Sequence, residues 1–234
     1  MSDDSKKLTP SPRQDIDSFL KKVAQTPVVK TAGKKGRLIF AMDATASREA
    51  TWDQACHLQA EMFKETVSLG GLDIQLCYYR GFGEFDTSPW YADSRQLLNR
   101  MTAVSCLGGH TQIEKVIRHA IAETRKEKVN AVVFVGDCLE ENIDDLSRYA
   151  GELALLGVPL FIFQEGYDPV AMMGFRQLAG LTGGAYCSFD SGSAQQLKSL
   201  LGAVAVYAAG GYQALENFNR RHGKTILQIP HKRR

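Results

Sequence analysis

The residues best suited to chemistry lie together in one short segment, Asp43-Ala-Thr-Ala-Ser47. One carboxylate and two hydroxyls alternate here with small alanines. Because an extended backbone sends alternate side chains to the same side, Asp43, Thr45 and Ser47 can converge on one point. Carboxylate and hydroxyl oxygens are the ligands that hard cations such as Mg²⁺ prefer. The segment therefore predicts part of a divalent-cation site.

Two other loops offer oxygens of the same kind. In Gly108-Gly-His-Thr111, two glycines allow a sharp backbone path just before a threonine at the start of a helix. Asp137 follows a buried apolar run. A magnesium ion bound between these loops would keep positions open to water or to an outside carboxylate. We therefore predict five metal ligands: Asp43, Thr45, Ser47, Thr111 and Asp137.

Strands and helices must bring these loops together. Short apolar runs, typical of strands covered on both faces, occur at Arg37–Met42, Leu72–Tyr79, Ala131–Val135, Val158–Phe163 and Ala185–Phe189. Helical spacing of apolar residues predicts helices at Asp15–Ala24, Trp52–Phe63, Asp93–Met101, Ile113–Thr124 and Leu146–Leu153, from Asp168 onward, and around Leu197–Val204.

Strand and helix alternate about six times along the chain, which predicts an α/β fold with a mostly parallel sheet and helices on both faces. Gly81–Phe85 indicates a turn into a short antiparallel edge strand. In such sheets, ligands bind at the carboxyl ends of the strands. The predicted metal loops follow Met42 and Val135 and precede the helix at Ile113, so they are expected to meet at that edge.

This combination resembles the von Willebrand factor A (VWA) family with its metal-ion-dependent adhesion site (MIDAS). Asp43, Thr45 and Ser47 match the family motif Asp-x-Ser-x-Ser with threonine in the middle. Thr111 matches the family's loop threonine, and Asp137 matches its later aspartate. The resemblance implies a Rossmann-like VWA domain, a magnesium or manganese ion, and binding of an aspartate or glutamate of a partner protein.

The resemblance covers about residues 36–208, so residues 1–35 are interpreted as an arm with a short helix. Residues 209–234 are interpreted as a carboxyl-terminal extension with a basic tail. One departure concerns Gly136 and Cys138, which flank the aspartate where the family commonly has Thr-Asp-Gly. The departure removes no ligand, but it alters the residues that shape the local turn.

Three interpretations of these residues remain open from the sequence. The first is a non-catalytic interaction module, an adaptor or scaffold. The second is a magnesium-dependent phosphotransferase or phosphatase that resembles the haloacid dehalogenase family, with Asp43 as nucleophile, but Thr45 stands where that family has its general acid. The third is a domain that uses its surface without metal. In that case Thr45 and Ser47 cap a helix, and Asp137 begins a helix near Glu140 and Glu141.

Composition narrows the class of protein. The net charge is only +2, so nucleic acid is not an expected partner, although the tail at 220–234 is rich in Lys, Arg and His. The five cysteines include no Cys-x-x-Cys pair, which favours reduced thiols. The start of the chain lacks an apolar signal core, and the uncharged stretch Ser199–Leu215 is a poor membrane span. We therefore expect a cytoplasmic protein without a membrane span.

Overall fold

The computed structural model describes residues 12–26, 35–50, 71–190 and 199–210. The strands are β1 (Gly36–Asp43), β2 (Leu72–Arg80), β3 (Glu84–Tyr91), β4 (Ala131–Gly136), β5 (Leu160–Glu165) and β6 (Tyr186–Phe189). The helices are α1 (Pro12–Gln25), α2 (Ser94–Thr102), α3 (Ile113–Lys126), α4 (Ile143–Leu155), α5 (Pro169–Leu181) and α6 (199–210), and a 3-10 turn spans Ala46–Arg48. The helix predicted at Trp52–Phe63 and the basic tail lie outside the described residues.

The six strands form one sheet in the order β3-β2-β1-β4-β5-β6. All neighbouring pairs are parallel except β2 and β3, which are antiparallel. The predicted mostly parallel sheet with one antiparallel edge strand is confirmed. In the register, Met42 of β1 lies opposite Tyr78 of β2 and Val135 of β4. The carboxyl ends of β1 and β4 are therefore level, which brings the loops after them side by side.

The edge strand β3 is longer than the short strand expected from the sequence, with eight residues. Its pairing with β2 is irregular between Gln75 and Cys77. There, the Ser88 hydroxyl accepts a hydrogen bond from the Leu76 backbone N–H at 3.0 Å, and the Gln75 side-chain amide donates to the Ser88 carbonyl at 3.0 Å. These side-chain bonds take the place of backbone hydrogen bonds between β2 and β3, so the pairing of the two strands continues to Tyr91.

Helices cover both faces of the sheet. On one face, Leu38, Phe40 and Met42 of β1 belong to a core that includes residues of α1, α2 and α6. On the other face, Ile39 and Ala41 pack in a second core with residues of α3, α4 and α5. The alternation along β1 follows from the two-residue period of a strand, and it explains why the strand is apolar throughout.

The uncharged stretch near the carboxyl end is a core helix. Every hydrophobic residue between positions 200 and 209 of α6 is at most 5% exposed. The helix lies directly on β1, since a Cβ atom at Gly36 would come within 2.2 Å of the Ala208 carbonyl oxygen. Burial on all sides accounts for the absence of charge. Within the described part of the chain, no helix is long and apolar enough to cross a membrane.

Candidate metal site

The first predicted loop is a hydrogen-bonded group at the end of β1. The Asp43 side chain is fully buried. Its Oδ1 accepts from the Thr45 backbone N–H at 2.8 Å, and its Oδ2 accepts from the Tyr79 hydroxyl at 3.0 Å. The exposed Ser47 places its Oγ 3.0 Å from Thr45 Oγ1. The three residues from this loop are therefore together, and Tyr79 is a contact that was not predicted from the sequence.

The helix-capping interpretation differs from the structure at the turn after Thr45 and at Asp137, while the helix predicted at Trp52–Phe63 lies outside the described residues. Thr45 stands at the cap position of the 3-10 turn, but its side chain makes no capping hydrogen bond. Nor does Asp137 begin the next helix. Helix α4 begins at Ile143, and its cap is Asn142, whose side-chain oxygen accepts from two backbone N–H groups. The Thr45 hydroxyl and the Asp137 carboxylate are thus not occupied by helix capping.

Asp137 lies beside Asp43 at the end of β4. A Cβ atom at the intervening Gly136 would lie 3.4 Å from the Asp43 Cβ and 2.7 Å from the Phe134 ring, so only glycine fits there. Burial raises the pKa of Asp43, and the charge of Asp137 raises it further, against the lowering effect of the hydrogen bonds from Thr45 and Tyr79. The two carboxylates therefore repel each other in the absence of a cation.

One oxygen of Asp137 has no hydrogen-bond partner. Its Oδ1 is buried, and no donor among the described residues reaches it. A buried carboxylate oxygen without a donor costs free energy unless a cation or water satisfies it. The orphaned oxygen is consequently the observation that best fits a bound cation at this place.

The Thr111 loop is fixed against the turn between β2 and β3. A Cβ atom at Gly109 would lie 2.0 Å from the Gly81 carbonyl oxygen, so this close approach requires glycine. The same carbonyl oxygen accepts from the His110 backbone N–H at 3.3 Å. Gly108 has no such constraint, because no described atom lies within 4 Å of the position that its Cβ would take. The side chain of Thr111 is buried.

Two glutamates join the Thr111 loop to the Asp137 loop. Glu140 Oε2 accepts from the Thr111 backbone N–H at 2.9 Å, and the Glu140 backbone N–H donates to Thr111 Oγ1 at 3.1 Å. Glu141 accepts from the Ile113 and Glu114 backbone N–H groups at 2.9 and 2.8 Å. This caps α3, whose own cap residue Gln112 makes no side-chain capping bond. The negative charge of Glu141 is favourable at a helix amino terminus.

The sequence places Glu141 among the carboxylates near the rim of the site, but it indicates neither its cap on α3 nor a role for Glu140. The only signal there is that two acids follow Asp137 while α3 begins without a side-chain cap of its own. That signal becomes clear only once β1 is known to lie between β2 and β4, because this strand order brings the two loops together.

A buried arginine joins the first loop to the ends of β4 and β5. Arg48 is 1% exposed, and its Nη1 donates to the Val135 carbonyl oxygen at 2.9 Å. Its Nε donates to Glu165 Oε2 at 3.0 Å, which compensates the buried charge. Because Val135 is two residues before Asp137, Arg48 holds the first loop in place beside the Asp137 loop.

The donor set suits a hard cation with mixed ligands. The described residues contain no cluster of three or more Asp, Glu, His or Cys side chains. A cation here would therefore need hydroxyl oxygens besides the two carboxylates, and the loops offer those of Thr45, Ser47 and Thr111. This set excludes a zinc site of the Cys and His type. It fits a Mg²⁺ or Mn²⁺ ion that keeps water or an outside ligand.

The sheet order, the flanking helices and the position of these loops define the fold of VWA domains. No protein-family profile matches the sequence, and no curated protein matches it. Solved structures do match. The VWA domain of SpRpn10 has a TM-score of 0.59 and 14% identity, over 72% of this chain and 94% of that domain.

Two other solved structures show the same fold. An aerotolerance-related membrane protein from Bacteroides fragilis has a TM-score of 0.54 and 15% identity, over 69% of this chain and 95% of that chain. Proximal thread matrix protein 1 from the mussel byssus, solved with a zinc-occupied MIDAS motif, has a TM-score of 0.53 and 16% identity. That match covers 73% of this chain and 45% of the other.

Proposed function

We propose that this chain is a metal-dependent protein-interaction module. Mg²⁺, or Mn²⁺, would be held by the hydroxyl oxygens of Thr45, Ser47 and Thr111 and by the Asp137 carboxylate, with Asp43 bonding to it through water. An aspartate or glutamate of a partner protein would complete the coordination. The module would act as an adaptor or scaffold, and one structural neighbour carries a zinc-occupied MIDAS motif, which supports a metal at this position.

The orphaned Asp137 oxygen carries the proposal. It is buried beside the buried Asp43 carboxylate, and no described donor reaches it. A divalent cation would satisfy this oxygen and screen the repulsion between the two carboxylates. The two carboxylates together cancel the charge of the ion. An added carboxylate would still gain the local attraction of a cation whose other ligands are neutral hydroxyls and water.

The geometry favours binding over catalysis by Asp43. A phosphatase of the haloacid dehalogenase type needs a carboxylate oxygen free to attack phosphorus. Both Asp43 oxygens accept hydrogen bonds, and the side chain is fully buried. Thr45 also lacks an acidic proton for the leaving group. These observations support a non-catalytic module.

Metal binding is tested by titrating Mg²⁺ and Mn²⁺ into the full chain by calorimetry. Ser47→Ala removes one proposed ligand that is exposed and is expected to fold. Its matched control is Ser147→Ala, which removes a partly exposed helix hydroxyl that accepts only from Gln177 among the bonds described. We expect weaker metal binding in Ser47→Ala alone. Equal binding in the wild type and both variants would refute the ligand set.

The carboxylate ligand is tested with Mn²⁺ bound to the chain. N-acetyl-aspartate N-methylamide serves as the probe, and the corresponding asparagine compound is the control. A carboxylate that enters the coordination sphere displaces water, so it should lower the water-proton relaxation enhancement of the bound Mn²⁺. An equal response to both compounds would leave a metal site that does not recognise acids and would refute the partner chemistry. A cytoplasmic location and the absence of a nucleic-acid partner stay predictions from the sequence.

A further inference from the structure

A cavity of about 370 Å³ lies between α1, α5 and the start of β6. Phe19 of α1 belongs to its lining and is almost fully buried. Tyr186, the first residue of β6, forms another part of the lining. The cavity is at the amino-terminal end of β6, whereas the candidate metal site is at the carboxyl ends of β1 and β4. It is therefore a separate place on the molecule.

Two cationic side chains, Lys22 and Arg176, line this cavity. No carboxylate in the described part of the chain forms an ion pair with either. Several other arginines do have such a carboxylate, for example Arg37 with Glu123. No acidic residue is among the described lining residues. Two uncompensated positive charges at one concave place create a positive potential that attracts an anion.

Aromatic and apolar groups stand beside these charges. The Arg176 guanidinium lies 5.1 Å from the centre of the Tyr186 ring, so the ring helps to orient it. The Tyr186 hydroxyl donates to Gln164 Oε1 at 2.6 Å, which fixes the ring. Phe19 and Ala179 also belong to the lining, but they are 1% and 2% exposed, so the half-buried Tyr186 ring is the apolar surface that the cavity offers next to its positive charges.

A glycine keeps the cavity open. Gly180 lies in the last turn of α5 and lines the cavity, and no described atom lies within 4 Å of the position its Cβ would take. Its φ angle is not among the positive ones. Neither packing nor backbone conformation therefore requires glycine, although glycine is less favourable than alanine in a helix. A larger side chain at this position would fill the space.

We propose that this cavity binds a small organic anion, a carboxylate or a phosphate ester that carries an apolar group. The anionic group would bind to Lys22 and Arg176, and the apolar group would contact the Tyr186 ring. The volume is that of small-molecule sites and is too small for a folded partner. Arginine suits both anions, since its planar guanidinium can donate two parallel hydrogen bonds.

The experiment titrates the full chain with phenyl phosphate, benzoate and inorganic phosphate, followed by ¹H–¹⁵N NMR. EDTA is present, so that no anion can bind through a metal, and failure here leaves the proposed metal-dependent function untouched. Benzylamine and benzyl alcohol test whether charge matters. The variants are Arg176→Gln and Gly180→Leu. The matched control is Arg148→Gln, because Arg148 also stacks on a tyrosine, Tyr149, at 4.4 Å but does not line the cavity.

We expect saturable shifts of cavity resonances with phenyl phosphate or benzoate, and much weaker shifts with inorganic phosphate or benzylamine. The stronger of the two aromatic anions identifies the anionic group. Arg176→Gln should weaken binding about tenfold, as loss of a charge-assisted hydrogen bond implies. Gly180→Leu should abolish binding with the fold intact. The proposal is overturned if no anion binds, if benzyl alcohol binds equally well, or if Arg148→Gln has the same effect as Arg176→Gln.

Discussion

Replacement of Asp137 by asparagine is expected to have opposite effects on the metal-free and metal-bound protein. The amide has nearly the same shape but no charge, so it ends the repulsion with Asp43. It also replaces a buried carboxylate oxygen that no described donor satisfies. An unsatisfied buried polar group costs about 1–3 kcal/mol, so relief of part of this cost should stabilise the metal-free protein by about 1 kcal/mol.

With magnesium, the wild type is expected to be more stable than Asp137→Asn. At about a hundred times its dissociation constant, a ligand that binds only the folded state adds about 2.7 kcal/mol to the free energy of unfolding. For a chain of 234 residues, this corresponds to a rise in Tm of about 5–10 °C. The wild type should show this rise. The variant should lose it, because Asp137 would no longer supply an anionic ligand to the ion.

The assay is urea unfolding of the wild type and Asp137→Asn, each in EDTA and in Mg²⁺. Asp168→Asn is the matched control: Asp168 caps α5 by accepting from the Ala171 backbone N–H, and asparagine caps helices about equally well. The control should keep its stability and its response to magnesium. If Asp137→Asn is destabilised in EDTA, the carboxylate has a structural partner. The inference from the orphaned oxygen would then be refuted.

Four other variants probe the scaffold of the site and one histidine outside it. Gly109→Ala should lose several kcal/mol of stability in urea unfolding, because its Cβ atom would overpack against the Gly81 carbonyl. Gly108→Ala should unfold like the wild type, since its Cβ atom would meet no described atom. Equal stability of the two variants would contradict the close approach at Gly109. Glu141→Ala should cost about 1 kcal/mol, because it uncaps α3, and an unchanged unfolding midpoint would show that this cap contributes nothing. Burial lowers the pKa of His119 in the folded protein. The neutral imidazole therefore contributes its full stability above the pKa of the unfolded state, about 6.5. This stability is lost as the pH falls through the lower pKa of the folded state. His119→Gln should therefore flatten the decline of Tm between about pH 7 and pH 5, and a slope like that of the wild type would count against this account.

Much of the fold could be predicted because it depends on local patterns. Each predicted strand in the described part of the chain is present, although β5 begins at Leu160, two residues later than expected. Apolar runs mark strands that are covered on both faces, and such coverage predicts the parallel sheet with helices on either side. The position of the first metal loop follows from the same pattern, because it comes directly after the run that forms β1.

The contacts that join the loops could not be predicted from the sequence. Tyr79, Glu140 and Glu141 bond to residues 27 to 36 positions away in the chain, as the separations in their hydrogen bonds show. Arg48 reaches Glu165 across 117 positions. Such pairs depend on the order and register of the strands, which local periodicity does not encode. The length of β3 likewise depends on the Ser88 bonds that carry its pairing past an irregularity.

The class of fold and the residue types at the ends of the strands follow from the sequence alone, because the burial of strands and the periods of helix and strand depend on residues that are neighbours in the chain. The hydrogen bonds that each oxygen makes depend instead on distances between loops from separate strands, which local periodicity does not encode. These distances distinguish Asp43, whose two oxygens both accept hydrogen bonds, from Asp137, whose buried Oδ1 has no donor among the described residues.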